Sequence, residues 1–137
     1  MFITKEDLHA KIRQSDLQQI VAGNETVIDH AIAFAQGKAQ AILSKKFDVA
    51  KLYESSKDQR EELLVSLLGD MAIYEIVAIA LPNVDMEDRR DRANHAVVYL
   101  NKLADGEYPV AWPLLPETEQ TDSPVTSGGR AQRGNYF

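Results

Sequence analysis

The stretch from Leu63 to Leu81 limits the possible folds of this chain more than any other segment. It is apolar over most of its length, and its only charged residues are Asp70 and Glu75. Its length is close to that of a membrane span, but a charge at bilayer depth costs several kcal/mol, so the stretch predicts a buried core helix. A helix that is apolar on nearly all sides must be covered by neighbouring helices. The stretch therefore predicts the centre of a helical body.

Upstream of this stretch, a repeat of apolar residues predicts a long helix that begins at Asn24 or Thr26 and runs to Lys45. The apolar residues recur at the three- and four-residue spacing of one helix face, and they are Val27, Ile28, Ala31, Phe34, Ala35, Ala39, Ile42 and Leu43. Gly37 lies within this helix, where glycine costs about 1 kcal/mol relative to alanine. We expect Gly37 to permit close packing against another helix.

Capping residues and helix breakers mark the boundaries of the two later helices. Ser56 or Asp58 is expected to cap the central helix, and Pro82 ends it. Asp85 caps the last helix, and Gly106 provides its C-terminal stop. The inward stripe of this last helix comprises Ala93, Ala96, Val97, Leu100 and Leu103.

Shorter helices are predicted near the N-terminus. One begins at Thr4 and ends near Gln14, and Asp16 caps another that Gly23 closes. Residues 47–53 are expected to form a connection that packs over the core. No alternation of period two is long enough to predict a sheet.

The composition agrees with a single helical domain. Residues 1–106 predict an all-α body, a small helical bundle of three principal helices plus one or two short ones. The hydrophobic content of 45% is typical of a globular fold, and the net charge of −6 argues against a general nucleic-acid binder. The chain has no cysteine, which excludes disulfides and thiolate chemistry. The first residues lack the basic and then apolar pattern of a signal peptide.

Residues 107–137 form the second predicted unit, a long extended C-terminal arm for contacts with other subunits or partners. The segment has no helical periodicity, and Pro109 and Pro113 flank the only tryptophan, Trp112. Prolines restrict the backbone to extended paths and reduce the entropy lost on docking. Trp112 either holds a strap over the chain's own core or anchors the arm in a pocket of a neighbouring subunit. With Pro113 and Leu114, it is a predicted partner-binding residue.

The distal end of the arm is a further predicted partner-binding segment. It carries Arg130, Arg133, Tyr136 and Phe137, and it contains no acidic residue. Solubilising tails rarely carry two adjacent aromatic residues, so we expect docking onto another protein. A disordered tail is the alternative, and contact with nucleic acid through only two charges would be weak and salt-sensitive.

The titratable residues predict neither a metal site nor an active site. His9, His30 and His95 fall on three different helices and match no metal-binding pattern, so we expect no metal and no cofactor. Asp70 and Glu75 would need a nucleophile or a second carboxylate at matched spacing to act in general acid–base catalysis. We favour ion pairs with a lysine or arginine on an adjacent helix or subunit. The sequence therefore predicts a protein that is not an enzyme.

The run from Glu87 to Arg92 contains three acidic residues and three arginines. Such a neutral mixture is typical of a solvated helix face. The alternative is a set of salt bridges between subunits, because arginine suits interfacial ion pairs.

Four segments, taken in order, give the chain a resemblance to a known family. They are Phe2-Ile3-Thr4-Lys5-Glu6-Asp7-Leu8, the long helix 27–43 with its exit Lys46-Phe47-Asp48-Val49, Asp70-Met71-Ala72-Ile73-Tyr74, and Val97-Val98-Tyr99-Leu100 to Ala104-Asp105-Gly106-Glu107. They span most of residues 2–110, and with them the chain resembles the head–tail connector, or head-completion, proteins of Mu-like prophages and related tailed phages. It departs from that pattern in lacking a proline-rich turn after the long helix and in its longer C-terminal arm.

The resemblance implies a structural role in a phage particle and brings no catalytic residues. Such a protein forms a ring of identical copies, commonly a dodecamer, on the portal protein at the capsid exit. The ring is an adaptor to the tail or to a second neck protein, and DNA passes through it transiently and without specificity. The resemblance places the protein in the neck of the virion, assembled in the bacterial host cytoplasm, with no membrane partner. The alternative is a non-viral helical adaptor or regulatory protein that binds a partner through its C-terminal arm.

Overall fold

The computed structural model describes residues 2–55 and 59–116, and the chain is all-α within these ranges. Six helices follow one another along the described chain, and three of them are long. They are α1 (Lys5–Leu8), α2 (Gln14–Val21), α3 (Thr26–Leu43), α4 (Val49–Glu54), α5 (Glu62–Ala80) and α6 (Glu87–Ala104). Extended pairing in these ranges is limited to one isolated antiparallel bridge, between Phe47 and Leu114. The predicted all-α bundle is confirmed.

Helix α5 lies at the centre of the bundle. It packs against both α3 and α6, which also contact each other, and α1 and α2 pack against it as well. Its core side chains are fully buried, among them Leu64, Leu68 and Ile76. The length and composition of α5 would suit a membrane span, but 50% of its apolar window is buried inside the described body. Such burial is expected of a core helix.

The two N-terminal helices differ in extent from the predictions. Helix α1 ends at Leu8 rather than near Gln14, which is instead the first residue of α2. Arg13 has an extended backbone with ψ of 142°, so the helical path is interrupted there and α2 begins earlier than Asp16. Gly23 follows α2, as predicted, with φ of 82°. Glycine adopts this left-handed conformation without steric cost.

Helix α4 was not predicted, because the sequence indicated only a connection over residues 47–53. Its six residues are too few to display a helical period. Asp48 caps it, and the Asp48 carboxylate accepts a hydrogen bond from Lys51 N–H at 3.2 Å. Val49 and Leu52 are buried, so the expected packing over the core is confirmed.

The long helices lie where the periodicity predicted them, and their ends differ by a few residues. Helix α3 ends at Leu43 rather than Lys45. The other differences are at N-termini: α5 begins at Glu62 rather than after the predicted caps Ser56 and Asp58, which lie outside the described residues, and α6 begins at Glu87 rather than directly after Asp85. Both helices begin with acidic residues, which interact favourably with the helix dipole.

The prediction that Gly37 permits close helix packing is wrong. A Cβ atom at Gly37 would have no heavy atom within 4 Å, so the residue faces open space. The buried face of α3 is formed by other residues, namely Ile28, Ala31, Ile32, Ala35, Ala39 and Leu43. Periodicity places Gly37 in a helix but does not show what its own face contacts.

Replacing Gly37 with alanine is expected to raise the free energy of unfolding by about 0.5–1 kcal/mol, because alanine loses less conformational entropy in a helix. Gly23→Ala is the matched control and is expected to destabilise the protein. Its φ of 82° is a conformation that costs an L-residue about 1–2 kcal/mol. Urea denaturation measures the free energy of unfolding of both variants. A loss of stability in Gly37→Ala would mean that this position does have a packing partner.

Candidate interaction surface

The chain folds back on itself after α6. The backbone turns at Gly106 with φ of 82°, and residues 107–116, here called the strap, return along the body. Within the strap, Trp112 is 6% exposed and meets Phe47 edge-on with ring centroids 5.4 Å apart. Of the two alternatives for Trp112, the structure shows the strap over the chain's own core. The boundary at residue 106 therefore marks the end of α6 and not the end of the packed body.

Backbone hydrogen bonds fix the strap beside the segment that leaves α3. Asp48 N–H donates to the carbonyl of Pro113 at 2.9 Å, and Leu115 N–H donates to the carbonyl of Lys46 at 3.1 Å. Between them, Leu114 forms the antiparallel bridge, and its side chain is 53% exposed. Pro113 is exposed as well. Contact of Pro113 and Leu114 with a partner stays a prediction.

The distal part of the predicted arm, residues 117–137, lies outside the described residues. Partner binding by Arg130, Arg133, Tyr136 and Phe137 therefore stays a prediction. Their two positive charges and two aromatic rings would suit a recess with apolar walls and an acidic group.

Residues of all three long helices line a recess of this kind, here called the Tyr74 groove. Its volume is about 110 Å³, and it is lined by Phe34, Lys38, Met71, Tyr74, Glu75, Ala93, Asn94 and Val97. Phe34 is 45% exposed. Tyr74 also lines a neighbouring depression of about 180 Å³ at the turn between α5 and α6, where Val84 is 50% exposed. Large exposed apolar side chains beside a recess are typical of protein contact sites.

Asp70 and Glu75, the two carboxylates within the apolar stretch of α5, have different surroundings. Asp70 Oδ1 lies 3.3 Å from Lys11 Nζ, which directs its hydrogen bond to Ser66 Oγ at 2.7 Å. The Asp70 contact is therefore electrostatic rather than hydrogen-bonded. The predicted ion pair of Asp70 with a lysine is present, but Lys11 lies in the connection between α1 and α2 rather than on an adjacent helix. Glu75 is partly buried in the Tyr74 groove. Across residues 2–55 and 59–116, no side chain forms an ion pair with Glu75.

An ion pair that no sequence pattern indicates ties the N-terminus to the residues before α5. Arg60 donates to both oxygens of the Asp7 carboxylate at 2.6 and 2.8 Å, and to the carbonyl of Phe2 at 2.9 Å. The Arg60 side chain is 8% exposed and that of Asp7 is 11% exposed. The hydrogen bonds from Arg60 lower the pKa of Asp7 from its ordinary 3.8 to about 2. The pair is thus a partly buried clamp between distant segments.

Replacing Asp7 with asparagine is expected to lower the free energy of unfolding by roughly 2 kcal/mol at neutral pH, because it leaves the partly buried Arg60 guanidinium without its counter-charge. Since folding lowers the pKa of Asp7, the ionised carboxylate stabilises the folded state fully above pH 3.8, and this contribution is lost as the pH falls towards about 2. The difference in free energy of unfolding between the variant and the parent protein should therefore become smaller as the pH falls from 3.8 to about 2. Urea denaturation at a series of pH values measures this difference.

An exposed ion pair at the start of α6 provides the control for this measurement. Arg92 Nε lies 3.3 Å from Asp88 Oδ2, and both side chains are more than half exposed. Such pairs contribute about 0.5 kcal/mol or less. Asp88 also lies in the first turn of α6, where a negative charge interacts favourably with the helix dipole, so Asp88→Asn should lower the free energy of unfolding by only about 0.5–1 kcal/mol. Equal effects of Asp7→Asn and Asp88→Asn would contradict the clamp. The exposure of this pair agrees with the solvated face predicted for the run from Glu87 to Arg92.

The three histidines lie apart from one another. His30 and His95 are exposed, whereas His9 lines a cleft of about 200 Å³ together with Lys5 and Glu25. Lys5 and Glu25 pair with each other across 2.6 Å. In the described part of the chain, no cluster of histidine and acidic residues is grouped to hold a metal ion. Because the charges of the His9 cleft are paired and Glu75 is not, the Tyr74 groove is the stronger candidate for binding a partner.

Comparison with known families covers almost the whole chain. The family described as bacteriophage Mu, Gp36 matches residues 2–127. No curated protein and no solved structure gives a significant match. Because the matched range includes the helical body and the strap, the chain belongs to the bacteriophage Mu Gp36 family of phage proteins.

Proposed function

We propose that this protein is a structural head–tail connector of a tailed-phage particle. It forms a ring on the portal at the capsid exit, joins the portal to the tail or to a second neck protein, and surrounds the path of the DNA. The observation that carries the proposal is the apolar surface left on a body whose core is already packed. Phe34 on α3, Val98 on α6 and Leu114 in the strap are 45%, 52% and 53% exposed. In a phage protein family, such surface favours a role in contacts between proteins.

A ring of identical copies needs two unlike surfaces on each copy. A contact between unlike surfaces repeats from copy to copy and closes when the rotation fits. The Tyr74 groove and the exposed outer side of the strap lie on different elements and supply two such surfaces. Residues 117–137 add reach, since they would span about 70 Å if fully extended.

The charge of the protein suits a passage for DNA. The net charge of −6 opposes adhesion of the phosphate backbone. A protein that held DNA would need a basic stripe that neutralises phosphates. In the proposed ring, contact with DNA is therefore transient and without sequence preference.

We propose that the protein is not an enzyme. Two of its less exposed carboxylates hold segments of the chain together, Asp7 through Arg60 and Asp70 through Lys11. A general acid or base has to reach the substrate proton, and these carboxylates are occupied by internal cations. The second candidate, an adaptor that binds a cellular partner through its arm, would use the same apolar surface. Membership of a phage family favours the connector.

Quantitative mass spectrometry of purified phage particles tests the proposal. We expect the protein in mature particles at a copy number close to that of the portal protein, because a ring seated on the portal has a fixed ratio to it. The major capsid protein is the internal reference for recovery. Absence from mature particles would contradict the connector and favour the cellular adaptor.

A further inference from the structure

Within the described residues, Glu75 is a carboxylate without an ion-pair partner, although its groove contains polar as well as apolar side chains. It lies on the most apolar helix, and its neighbours in the Tyr74 groove include Phe34, Tyr74 and Val97. Partial removal of a charge from water is unfavourable unless an opposite charge or a hydrogen bond compensates for it. Within residues 2–55 and 59–116, Glu75 has neither. Lys38 lines the same groove but lies over the Phe34 ring, with its ammonium 5.9 Å from the ring centroid.

The groove has the chemistry to receive an arginine beside an aromatic ring. A guanidinium matches a carboxylate through two parallel hydrogen bonds, so an incoming arginine would compensate Glu75. An aromatic side chain next to it would bury its ring against Phe34 and Tyr74. The groove is open and measures about 110 Å³, which suits side chains of an extended segment rather than a whole helix.

We propose that the Tyr74 groove of one copy binds residues 130–137 of a second copy. This segment holds two arginines and two aromatic residues and no acidic residue. It complements the aromatic rings and the unpaired carboxylate of the groove, which Lys38 and Asn94 also line. One arginine pairs with Glu75, and an aromatic ring packs against Phe34. The inference rests on the proposed function, because it supplies the contact between neighbouring copies of the ring.

The length of the chain allows this contact. The strap holds Leu115 beside Lys46, and residues 117–129 then span about 43 Å if extended. For comparison, the 18 residues of α3 give a helix about 27 Å long. The segment can therefore cross the body and reach an adjacent copy. Groove and segment are unlike surfaces, which is what a closing ring requires.

Photo-crosslinking of the full-length protein tests the inference. Tyr136→p-benzoylphenylalanine places a photoreactive ring in the segment, and a mixture of light and isotopically heavy copies separates contacts within a chain from contacts between chains. We expect mixed-isotope cross-links from position 136 to the residues that line the Tyr74 groove. Cross-links confined to single chains, or to surfaces outside the groove, would overturn the inference.

Running the reaction with and without the portal protein separates this inference from the proposed function. A ring on the portal with cross-links outside the groove would overturn the inference and leave the connector intact. Mixed-isotope cross-links in the groove without any ring on the portal would support the inference and contradict the connector.

Charge reversal identifies the role of Glu75. Glu75→Arg should lower the yield of mixed-isotope cross-links about tenfold, a loss typical of one interfacial charge pair. Adding Arg130→Glu and Arg133→Glu to the chain that carries Glu75→Arg should restore the yield of mixed-isotope cross-links. Glu54→Arg, at an exposed position in α4, is the matched control and should leave the yield unchanged.

Circular dichroism establishes that each variant is folded. Glu75→Gln keeps the size of the side chain and removes its charge, so it tests the pairing even if the arginine in Glu75→Arg disturbs α5. It should also lower the yield of mixed-isotope cross-links. An unchanged yield in both Glu75 variants would overturn the proposed pairing.

Discussion

Replacing Trp112 with alanine is expected to lower the free energy of unfolding by about 3–5 kcal/mol. The indole is 6% exposed and packs edge-on against Phe47, so its loss leaves a cavity where the strap meets the body. The strap is also held by backbone hydrogen bonds to the residues on either side of Phe47 and by contact of the Tyr108 ring with Tyr99 on α6. Urea denaturation followed by circular dichroism measures the effect, because Trp112 is the only tryptophan and its fluorescence is lost in the variant.

Leu114→Ala is the matched control for this substitution. Leu114 lies in the same strap, but its side chain is 53% exposed, so its truncation should change stability by about 0.5 kcal/mol or less. Similar small effects of the two substitutions would contradict the packing of Trp112 on its own chain. They would favour the alternative in which Trp112 anchors the arm in a neighbouring subunit.

Truncation after Pro116 is expected to abolish assembly on the portal while leaving the helical body folded. The core of the bundle and the strap with Trp112 remain complete in this variant. A cut at residue 107 would not be informative, because it would also remove Trp112 from the core. Circular dichroism measures the fold, and sedimentation with the portal protein measures assembly.

Two further variants locate the effect within the removed segment. Truncation after residue 129 removes only the arginines and aromatic residues at 130–137, and it should abolish assembly as well. Replacing residues 117–129 with a glycine–serine linker of equal length should preserve assembly, since only reach is required of them. Complete rings from the chain truncated after Pro116 would show that the arm is dispensable.

Apolar periodicity was sufficient to predict the three long helices and the central position of α5. A helix that is apolar on nearly every side can be buried only by neighbours on most sides, and α5 does contact both α3 and α6. The inward stripe of α6 was also correct, since Ala93, Ala96, Leu100 and Leu103 are buried and Val97 is partly buried. Such apolar patterns involve residues that are close together in the chain, so the sequence alone is sufficient to recognise them.

Features that depend on distant contacts could not be predicted in the same way. Asp7 and Arg60 each look like an ordinary surface charge in the sequence, yet the fold brings them together across 53 positions. Gly37 fitted the helical pattern, but only the neighbouring elements show that its face is open. For Trp112, the flanking prolines predicted an extended path without showing its target. The ring of Phe47, against which Trp112 packs, shows that the target is the core of the same chain.

The candidate site was predictable only in part. The sequence indicated that Asp70 and Glu75 would take part in ion pairs with an adjacent helix or subunit. The structure pairs Asp70 with Lys11 and leaves Glu75 in a groove with exposed apolar residues. The groove itself is formed by three helices, and no single segment carries a signal for it.

Electron microscopy of the protein mixed with the portal protein of the same phage tests the central claim most directly. The connector account predicts a second ring stacked on the portal and sharing its axis, with the density of each copy fitting the helical body. A portal that stays bare at high concentrations of the folded protein would contradict the account.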